Sequence, residues 1–417
     1  MIWDMLFSRH CHFTDSIVGP VLTFETALHM AYKPSFFYPL RPEEYAAQPV
    51  PSLKDYRELW ASWDTLTLQM IPKDLLMEKP IKLRNACIFY LGHIPTFLDI
   101  HLTRATNEAA TEPSYYPQIF ERGIDPDVDD PSQCHAHSEV PDEWPHADEI
   151  ISFQQRVRKR TEALYKSGAA DRDHATRKAL WIGFEHEAMH LETLLYMLVQ
   201  SEKTLPPDGA VKPDFEAMAR EASIKANENQ WFEVPKRNIS LGMDDDDADT
   251  ATERFFGWDN EKPSRNVEVS AFEAKARPIT NGEYVEYMEK QGISKIPSSW
   301  AEITSNGVHV NGDSNGVAND YQVNGNNTAS ILHGKAVRTV FGPVPLKLAL
   351  DWPVMASYDE LAGCAKWMGG RIPTMEEVRS IYEYVEELKG KEFENALQKT
   401  IPAVNRYVPF PLGLKAH

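Results

Sequence analysis

The stretch from Asp173 to Glu202 restricts the fold more than any other part of the sequence. Its apolar residues recur every three to four positions, which predicts an α-helix. Between Trp181 and Val199 they occupy nearly every side of that helix. A helix that is apolar all round is stable only when other elements surround it. We therefore expect this helix to lie in the middle of a helical domain.

Three further stretches carry the same helical periodicity, with no strand pattern between them. They are Leu53–Ile71, Ile81–Ala105 and Asp148–Ser167. Four long helices within about 150 residues predict a helical bundle. The connection Asn107–Ala147 is rich in Pro, Asp and His, and a connection of this length in a compact domain is usually functional or disordered.

The sequence changes character after Lys203. A polar segment is followed by short alternating runs such as Asn266–Val269, separated by turns rich in Gly, Asn and Asp, and helical runs return at Ser357–Met368 and from Thr374. This pattern predicts a loop-rich α+β domain in the second half. We divide the chain into an N-terminal extension of unclear fold (1–51), a helical domain (52–205), a linker (206–230) and the α+β domain (231–417).

The composition limits where the protein acts and what it binds. The chain carries 43 Lys and Arg against 62 Asp and Glu, a formal net charge of −19, and such a surface repels nucleic acids and anionic membranes. No apolar stretch reaches the ~18 residues of a membrane-spanning helix, and the first residues have no secretory pattern. The four cysteines form no CxxC pair, which is typical of a reducing cytosol. We therefore expect a cytoplasmic protein with no nucleic-acid or membrane partner.

His186 and His190 are the sharpest chemical signal in the sequence. Because they are four residues apart on a predicted helix, they lie one turn apart on one face, and both imidazoles can reach a single cation. The surrounding helix is almost wholly apolar, and an imidazole without a partner is costly to bury there. The pair therefore predicts a metal site.

The same residues form the His-Glu-x-x-His motif of zinc proteases, in which Glu187 would be the general base. The metzincin subclass needs a Gly and a third His further along the helix. This chain has Thr193 and Tyr196 at the corresponding positions. A ligand from a following helix is not evident, because the predicted linker comes next. A zinc hydrolase is therefore the weaker alternative.

A third ligand must come from another helix, and two histidines of the second helical stretch are candidates. His93 precedes Pro95, which lacks a backbone donor and is expected to kink the helix or restart it there. His101 lies eight residues later on roughly the same face. Spacing alone does not choose between them, nor does it choose the metal, because three-His sites hold zinc as well as iron.

Several motifs of the chain point to one known family. They are Phe89–Phe97, Ile119–Pro126, Cys134–Glu139 and Glu185–Thr193 in the first half, and Glu261–Pro263, Arg277–Tyr284 and Gly370–Glu377 in the second. Together these segments resemble the sulfoxide-synthase portion of the fungal ergothioneine-biosynthesis family, over roughly residues 52–404. The resemblance implies a DinB-like four-helix bundle. It also implies a following sulfatase-modifying-factor domain, which is formylglycine-generating-enzyme-like and has a C-type-lectin-like fold.

The resemblance also implies a metal, its ligands and a reaction. The family holds Fe(II) with the histidine of a Gly-His segment and both histidines of a His-x-x-x-His segment, which correspond here to His93, His186 and His190. His93 is thereby favoured over His101. Members of the family use dioxygen to join a thiol to the imidazole carbon of hercynine, which is trimethylated histidine, and they oxidise the sulfur to the sulfoxide. Fungal members take free cysteine as the thiol.

Two neighbouring features have subsidiary roles in this interpretation. Glu187 points away from the metal at helical spacing, so we interpret it as a structural residue or a support for the ligands and not as a base. The polar loop Cys134–Glu139 is expected to form part of the pocket wall. Its histidines, His135 and His137, are not expected to be ligands, because loop histidines are usually solvated.

The chain departs from the family pattern at both ends. Full-length fungal members begin with a methyltransferase domain that makes hercynine, and this sequence lacks the Gly-rich motif of such a domain. A separate methyltransferase is therefore expected to supply hercynine. After Asn405 the sequence no longer resembles the family, and the family's acidic tyrosine lies in that unmatched portion, so no catalytic residue is assigned. The alternative to an active synthase is a truncated remnant that binds metal without turnover.

Overall fold

The computed structural model describes most of the chain from residue 50 onward. The described residues are 50–82, 84–121, 124–126, 134–136, 141–244, 256–304, 307–309, 331–390 and 414–415. Nearly all of the extension predicted at residues 1–51 lies outside these ranges, and so does His137. Of His135 only the backbone is described.

Six α-helices form the described part of the first half. They are α1 (Leu53–Asp64), α2 (Cys87–Thr106), α3 (Tyr116–Phe120), α4 (Ala147–Ser167), α5 (Ala169–Arg172) and α6 (His174–Leu198). The four long ones are the helices that the sequence predicted, although α1 ends earlier than expected, in a π-helical turn over Thr65–Gln69. None of the described helices combines the length and the apolar character that crossing a membrane requires.

Polar residues and one glycine set three of these helix ends. Ser52 caps α1 through reciprocal bonds with Asp55, and the Asp173 carboxylate accepts a hydrogen bond of 2.7 Å from the Thr176 amide at the start of α6. Gly168, at φ +74°, ends α4. Glycine adopts this left-handed conformation without strain. These three helix ends therefore follow from local sequence chemistry.

Helix α2 packs against both α4 and α6 and is buried along most of its length. It continues unbroken from Cys87 to Thr106, with Pro95 inside it. Of the kink or restart expected at Pro95, the restart therefore does not occur. Packing against two neighbouring helices keeps this segment helical although Pro95 cannot donate a backbone hydrogen bond.

Two segments contain more regular structure than the sequence indicated. Within the long connection between α2 and α4, strands β1 (Ile124–Pro126) and β2 (Cys134–Ala136) form an antiparallel pair. Within the predicted linker, Phe215–Ile224 forms helix α7, which the Asp214 side chain caps. Its Phe215 side chain is buried, with the ring centroid 5.8 Å from that of Trp352.

The described residues of the second half combine short antiparallel strands with three α-helices, which confirms the predicted α+β character. The strands are β3 (Trp231–Val234), β4 (Arg237–Leu241), β5 (Arg265–Val269), β6 (Phe272–Lys275), β7 (Trp300–Thr304), β8 (Gly307–His309), β9 (Lys335–Val337), β10 (Val344–Pro345), β11 (Gly370–Arg371) and β12 (Leu414–Lys415). The helices are α8 (Asn281–Gln291), α9 (Tyr358–Trp367) and α10 (Met375–Gly390).

The strands form two four-stranded sheets, in the orders β10-β9-β7-β8 and β11-β12-β6-β3, and a separate β4-β5 pair. Helix α10 packs on β3, β4 and β5 and places Ile381 among their buried apolar side chains. Helices α8 and α9 enclose a second core that contains Tyr284, Met288 and the fully buried Trp300. The cores of this half are thus built from small sheets covered by helices.

The two halves share part of one hydrophobic core. Val340, between β9 and β10, is only 6% exposed and belongs to the core cluster of the helical half, and Phe341 packs against the same cluster. On the outer side of α6, the ring centroid of Trp181 lies 5.9 Å from those of both Phe256 and Trp258. The second half therefore contributes directly to the stability of the helical half.

Replacing Val340 should show this dependence. In Val340→Asp a carboxylate without a partner would be buried in the core of the helical half, so we expect the free energy of unfolding to fall by about 3 kcal/mol or more. Val211→Asp is the matched control, because that valine is 87% exposed, and it should change stability by less than ~0.5 kcal/mol. The measurement is denaturant unfolding followed by circular dichroism. Equal stability of the two variants would contradict a shared core.

Candidate metal centre

Three histidines from two helices converge in the helical half. His93 comes from α2, and His186 and His190 come one turn apart from α6. One ring nitrogen of each lies within 4.8 Å of one from each of the others. The ring centroids are 4.8 Å apart for His93 and His186, 4.9 Å for His93 and His190, and 4.5 Å for His186 and His190. Three imidazoles at this spacing can bind one cation.

The close packing of α2 on α6 brings these side chains together. Gly183 of α6 faces Leu98 of α2, and a Cβ at Gly183 would lie 2.4 Å from the Leu98 Cδ1. A larger residue at position 183 would therefore require the Leu98 side chain to move, and the glycine lets that side chain pack directly against α6. One turn further along α6, His186 meets His93. The pairing that spacing alone left open is therefore decided by helix packing.

His101 is not part of this group among the described residues. It is half-buried, and its ring lies beside Phe97, with centroids 4.5 Å apart. Two turns along α2 separate it from His93. The structure thus brings together the three histidines that the resemblance implies and leaves the rival candidate outside, while their role as ligands stays a prediction.

His93 is held by its surroundings in a single tautomer. Its Nδ1 lies 2.6 Å from the backbone oxygen of Phe120, and because a carbonyl only accepts, Nδ1 carries the proton and donates. The Phe89 ring stacks on the imidazole with centroids 5.0 Å apart and planes 19° apart. Nε2 is then left with its lone pair, which is the state of a histidine ligand whose other nitrogen donates to a carbonyl.

The two histidines of α6 have a different environment. The Phe97 ring stacks on His186, with centroids 3.7 Å apart and planes 15° apart. The Nδ1 atoms of His186 and His190 are buried and have no hydrogen-bond partner among the residues that the structure describes. A buried polar atom without a partner is costly. Such atoms on two adjacent imidazoles fit a bound metal cation, which can accept ring-nitrogen lone pairs.

Burial also keeps these imidazoles in the form that binds metal. Removal from water lowers the pKa of His93 to about 4, with a smaller opposing effect from its bond to Phe120. Burial and the neighbouring His93 lower the pKa of His190 to about 3. Burial, then His190 and His93, hold the pKa of His186 well below its usual value. All three rings are therefore neutral near pH 7, and neutral imidazole is the ligand form.

Glu187 lies on the other side of α6, among residues of α1 and α4. It is 3% exposed and lies near Arg158 and Asp64, and burial raises the pKa of its carboxyl to about 8, while Arg158 and a hydrogen bond from Trp60 oppose that rise. Arg158 itself binds both Asp64 oxygens at 2.8 Å. Glu187 is therefore protonated near pH 7 and does not face the three histidines, as a general base would.

The sequence did not reveal the residues that hold the ligands in place. Phe89 and Phe97 lie four residues before and after His93, so their helical spacing could have placed them on its face. Phe120 lies 27 residues from His93 and acts through its backbone. No sequence pattern indicates a carbonyl contact of this kind, because every residue carries the same backbone carbonyl whatever its side chain is.

Comparison with known proteins gives matches over both halves. Residues 53–194 match the DinB superfamily, and residues 227–381 match the Sulfatase-modifying factor enzyme 1-like domain. Ergothioneine biosynthesis protein 1 of Neurospora crassa is 52% identical to this chain over an alignment that covers 92% of it. The protein of the same name from Schizosaccharomyces pombe is 33% identical to 82% of it. The chain spans 44% and 43% of the lengths of these two relatives.

Removing any one of the three histidines should weaken metal binding. We expect His93→Ala, His186→Ala and His190→Ala each to lower the affinity for Fe(II) at least ~100-fold, because two imidazoles hold a cation far less tightly than three. His101→Ala and Glu187→Gln should stay within about threefold, because neither side chain belongs to the group. Anaerobic titration with Fe(II) measures the affinities. A loss in His101→Ala as large as in His93→Ala would contradict this assignment.

Proposed function

The chain belongs to the family of the ergothioneine biosynthesis proteins, and on that premise we propose that it is a non-haem Fe(II), O2-dependent sulfoxide synthase that joins cysteine to hercynine. The single observation that carries the proposal is the convergence of His93, His186 and His190 on one point. The names of the two relatives connect sequences similar to this one with ergothioneine biosynthesis. The substrates and the reaction are proposed for this chain on that connection.

In this proposal the three histidines hold the iron. Imidazole nitrogens suit Fe(II), and three of them leave further coordination positions for other ligands. When bound, the iron would supply the oxygen chemistry that forms the carbon–sulfur bond and the sulfoxide. The same donor set also suits zinc. The choice of iron therefore depends on the family and is tested below by metal analysis.

The protein's own contribution is to orient and protect the ligands. The Phe120 carbonyl fixes the proton of His93 on Nδ1, and the Phe97 ring covers one face of His186. Aromatic side chains on this side of α2 shield the imidazoles from water. The imidazoles therefore stay neutral, and protons do not compete with the metal for their nitrogen lone pairs. His190 is less buried than the other two. We propose that the substrates approach the metal from the His190 side.

The finer fold assignments belong to the same proposal. We propose that α1, α2, α4 and α6 form a DinB-like four-helix bundle and that the second half has a C-type-lectin-like fold. Hercynine, cysteine and dioxygen would be the small-molecule partners, and a separate methyltransferase would supply the hercynine. Ergothioneine synthesis of this kind would take place in the cytoplasm.

An assay with defined substrates tests the reaction. Protein purified without oxygen and loaded with Fe(II) should convert hercynine and cysteine, after addition of O2, into the cysteine–hercynine sulfoxide, which mass spectrometry detects. His186→Ala should reduce the rate at least ~100-fold, because the iron is lost. Replacing cysteine with γ-glutamyl-cysteine tests the choice of thiol.

Three results would contradict the proposal in different ways. If the protein binds one Fe(II) but forms no sulfoxide, while the Neurospora crassa relative does so under the same conditions, this chain binds metal without turnover. If it forms sulfoxide only with γ-glutamyl-cysteine, the proposed thiol is wrong. If it retains zinc, hydrolyses peptides and binds no iron, it is a hydrolase.

A further inference from the structure

Gly92 precedes His93 in α2 and has almost no space beside it. A Cβ at Gly92 would lie 2.4 Å from both Cε1 and Cζ of Phe120 and 2.6 Å from its Cδ1. Real Cβ atoms do not approach ring carbons so closely, so only a hydrogen atom fits at this position. Glycine in a helix interior costs about 1 kcal/mol relative to alanine. The helix therefore has a locally unfavourable residue at the point where Phe120 rests on it.

The Phe120 ring cannot easily move away. The residue is fully buried, and its ring stacks on Trp144 with centroids 5.6 Å apart and planes 25° apart. Tyr116 packs edge-on against it, with centroids 5.1 Å apart, and Phe89 lies 6.1 Å away. A ring enclosed by three aromatic neighbours transmits a displacement to its own backbone. The position of the ring thus fixes the position of the Phe120 carbonyl.

That same carbonyl accepts the hydrogen bond from His93 Nδ1 at 2.6 Å. The side chain of Phe120 meets α2 at Gly92, and its backbone oxygen meets the next residue, His93. The two contacts therefore depend on each other. A methyl group at position 92 would push the ring outward and lengthen or break the bond to the imidazole.

We propose that Gly92 is a positioning residue for the metal centre: by admitting the Phe120 ring against α2, it places the Phe120 carbonyl on His93 Nδ1 and keeps Nε2 available for the metal. This inference rests on the proposed function, because it assumes that His93 is a ligand. Gly92 itself touches neither metal nor substrate. Gly92 acts through Phe120, and it thereby determines which ring nitrogen of His93 carries the proton.

The test compares two glycines with similar packing. Gly363 of α9 is the matched control, because a Cβ there would lie 2.5 Å from the Tyr287 hydroxyl oxygen, far along the chain from the histidines. Gly92→Ala should weaken Fe(II) binding 10- to 100-fold, roughly the effect of losing the partner that orients a ligand. Gly363→Ala should lower the melting temperature but leave Fe(II) affinity within about threefold of wild type.

A second measurement reads the tautomer directly. In metal-free protein with ¹⁵N-labelled histidine, long-range ¹H–¹⁵N spectra should show His93 protonated at Nδ1 in wild type and Gly363→Ala. In Gly92→Ala this signal should weaken or shift to the other tautomer, because the acceptor has moved. An unchanged His93 spectrum, or an Fe(II) affinity that falls equally in both variants, would overturn the proposal.

A double variant keeps the test informative if Gly92→Ala does not fold. Phe120→Ala removes the ring but keeps the carbonyl, so alanine at position 92 should then be harmless. Gly92→Ala/Phe120→Ala is expected to bind Fe(II) within about threefold of Phe120→Ala alone. A further tenfold loss in the double variant would contradict the role of the ring. If wild type binds no Fe(II), the proposed function fails, while the His93 spectra still decide whether Gly92 controls the tautomer.

Discussion

The close packing of α2 against α6 is the constraint on which the candidate centre depends. Gly183 admits Leu98, and the Tyr56 hydroxyl donates to the Leu180 carbonyl at 2.5 Å, which ties α1 to the same part of α6. The contact of Gly183 with Leu98 lies in the packing of α2 on α6, and this packing sets the distance between His93 and the histidines of α6. The geometry of the three histidines is therefore a consequence of core packing, which resists small displacements.

Burial has opposite consequences on the two sides of α6. On one side it keeps three imidazoles neutral, and their lone pairs suit a cation. On the other side it keeps the Glu187 carboxyl protonated beside the paired Arg158 and Asp64. A single helix thus separates a cluster of neutral imidazoles from a cluster that contains a paired charge. This separation explains why a His-Glu-x-x-His sequence need not form the site of a zinc hydrolase.

The second half of the chain is part of the physical setting of the centre. Val340 lies in the core of the helical half, and Trp181, on the outer side of α6, contacts Phe256 and Trp258. The second half therefore packs against the helix that carries two of the proposed ligands. A shared core couples the stability of one half to the presence of the other. The two relatives accordingly match this chain across both halves.

The sequence by itself determined the long helices, the α+β character of the second half and the pair His186 and His190. Each of these follows from periodicity along one segment, which local geometry translates directly into a shared face. It also predicted a kink or a restart at Pro95, and packing keeps the helix continuous there. Spacing left His93 and His101 open and only the resemblance favoured His93, whereas the tertiary structure shows that His93 meets the pair, that His101 does not, and that the Phe120 carbonyl holds His93. These contacts join residues far apart in the chain, and helix separation and backbone position, which no local pattern encodes, determine them.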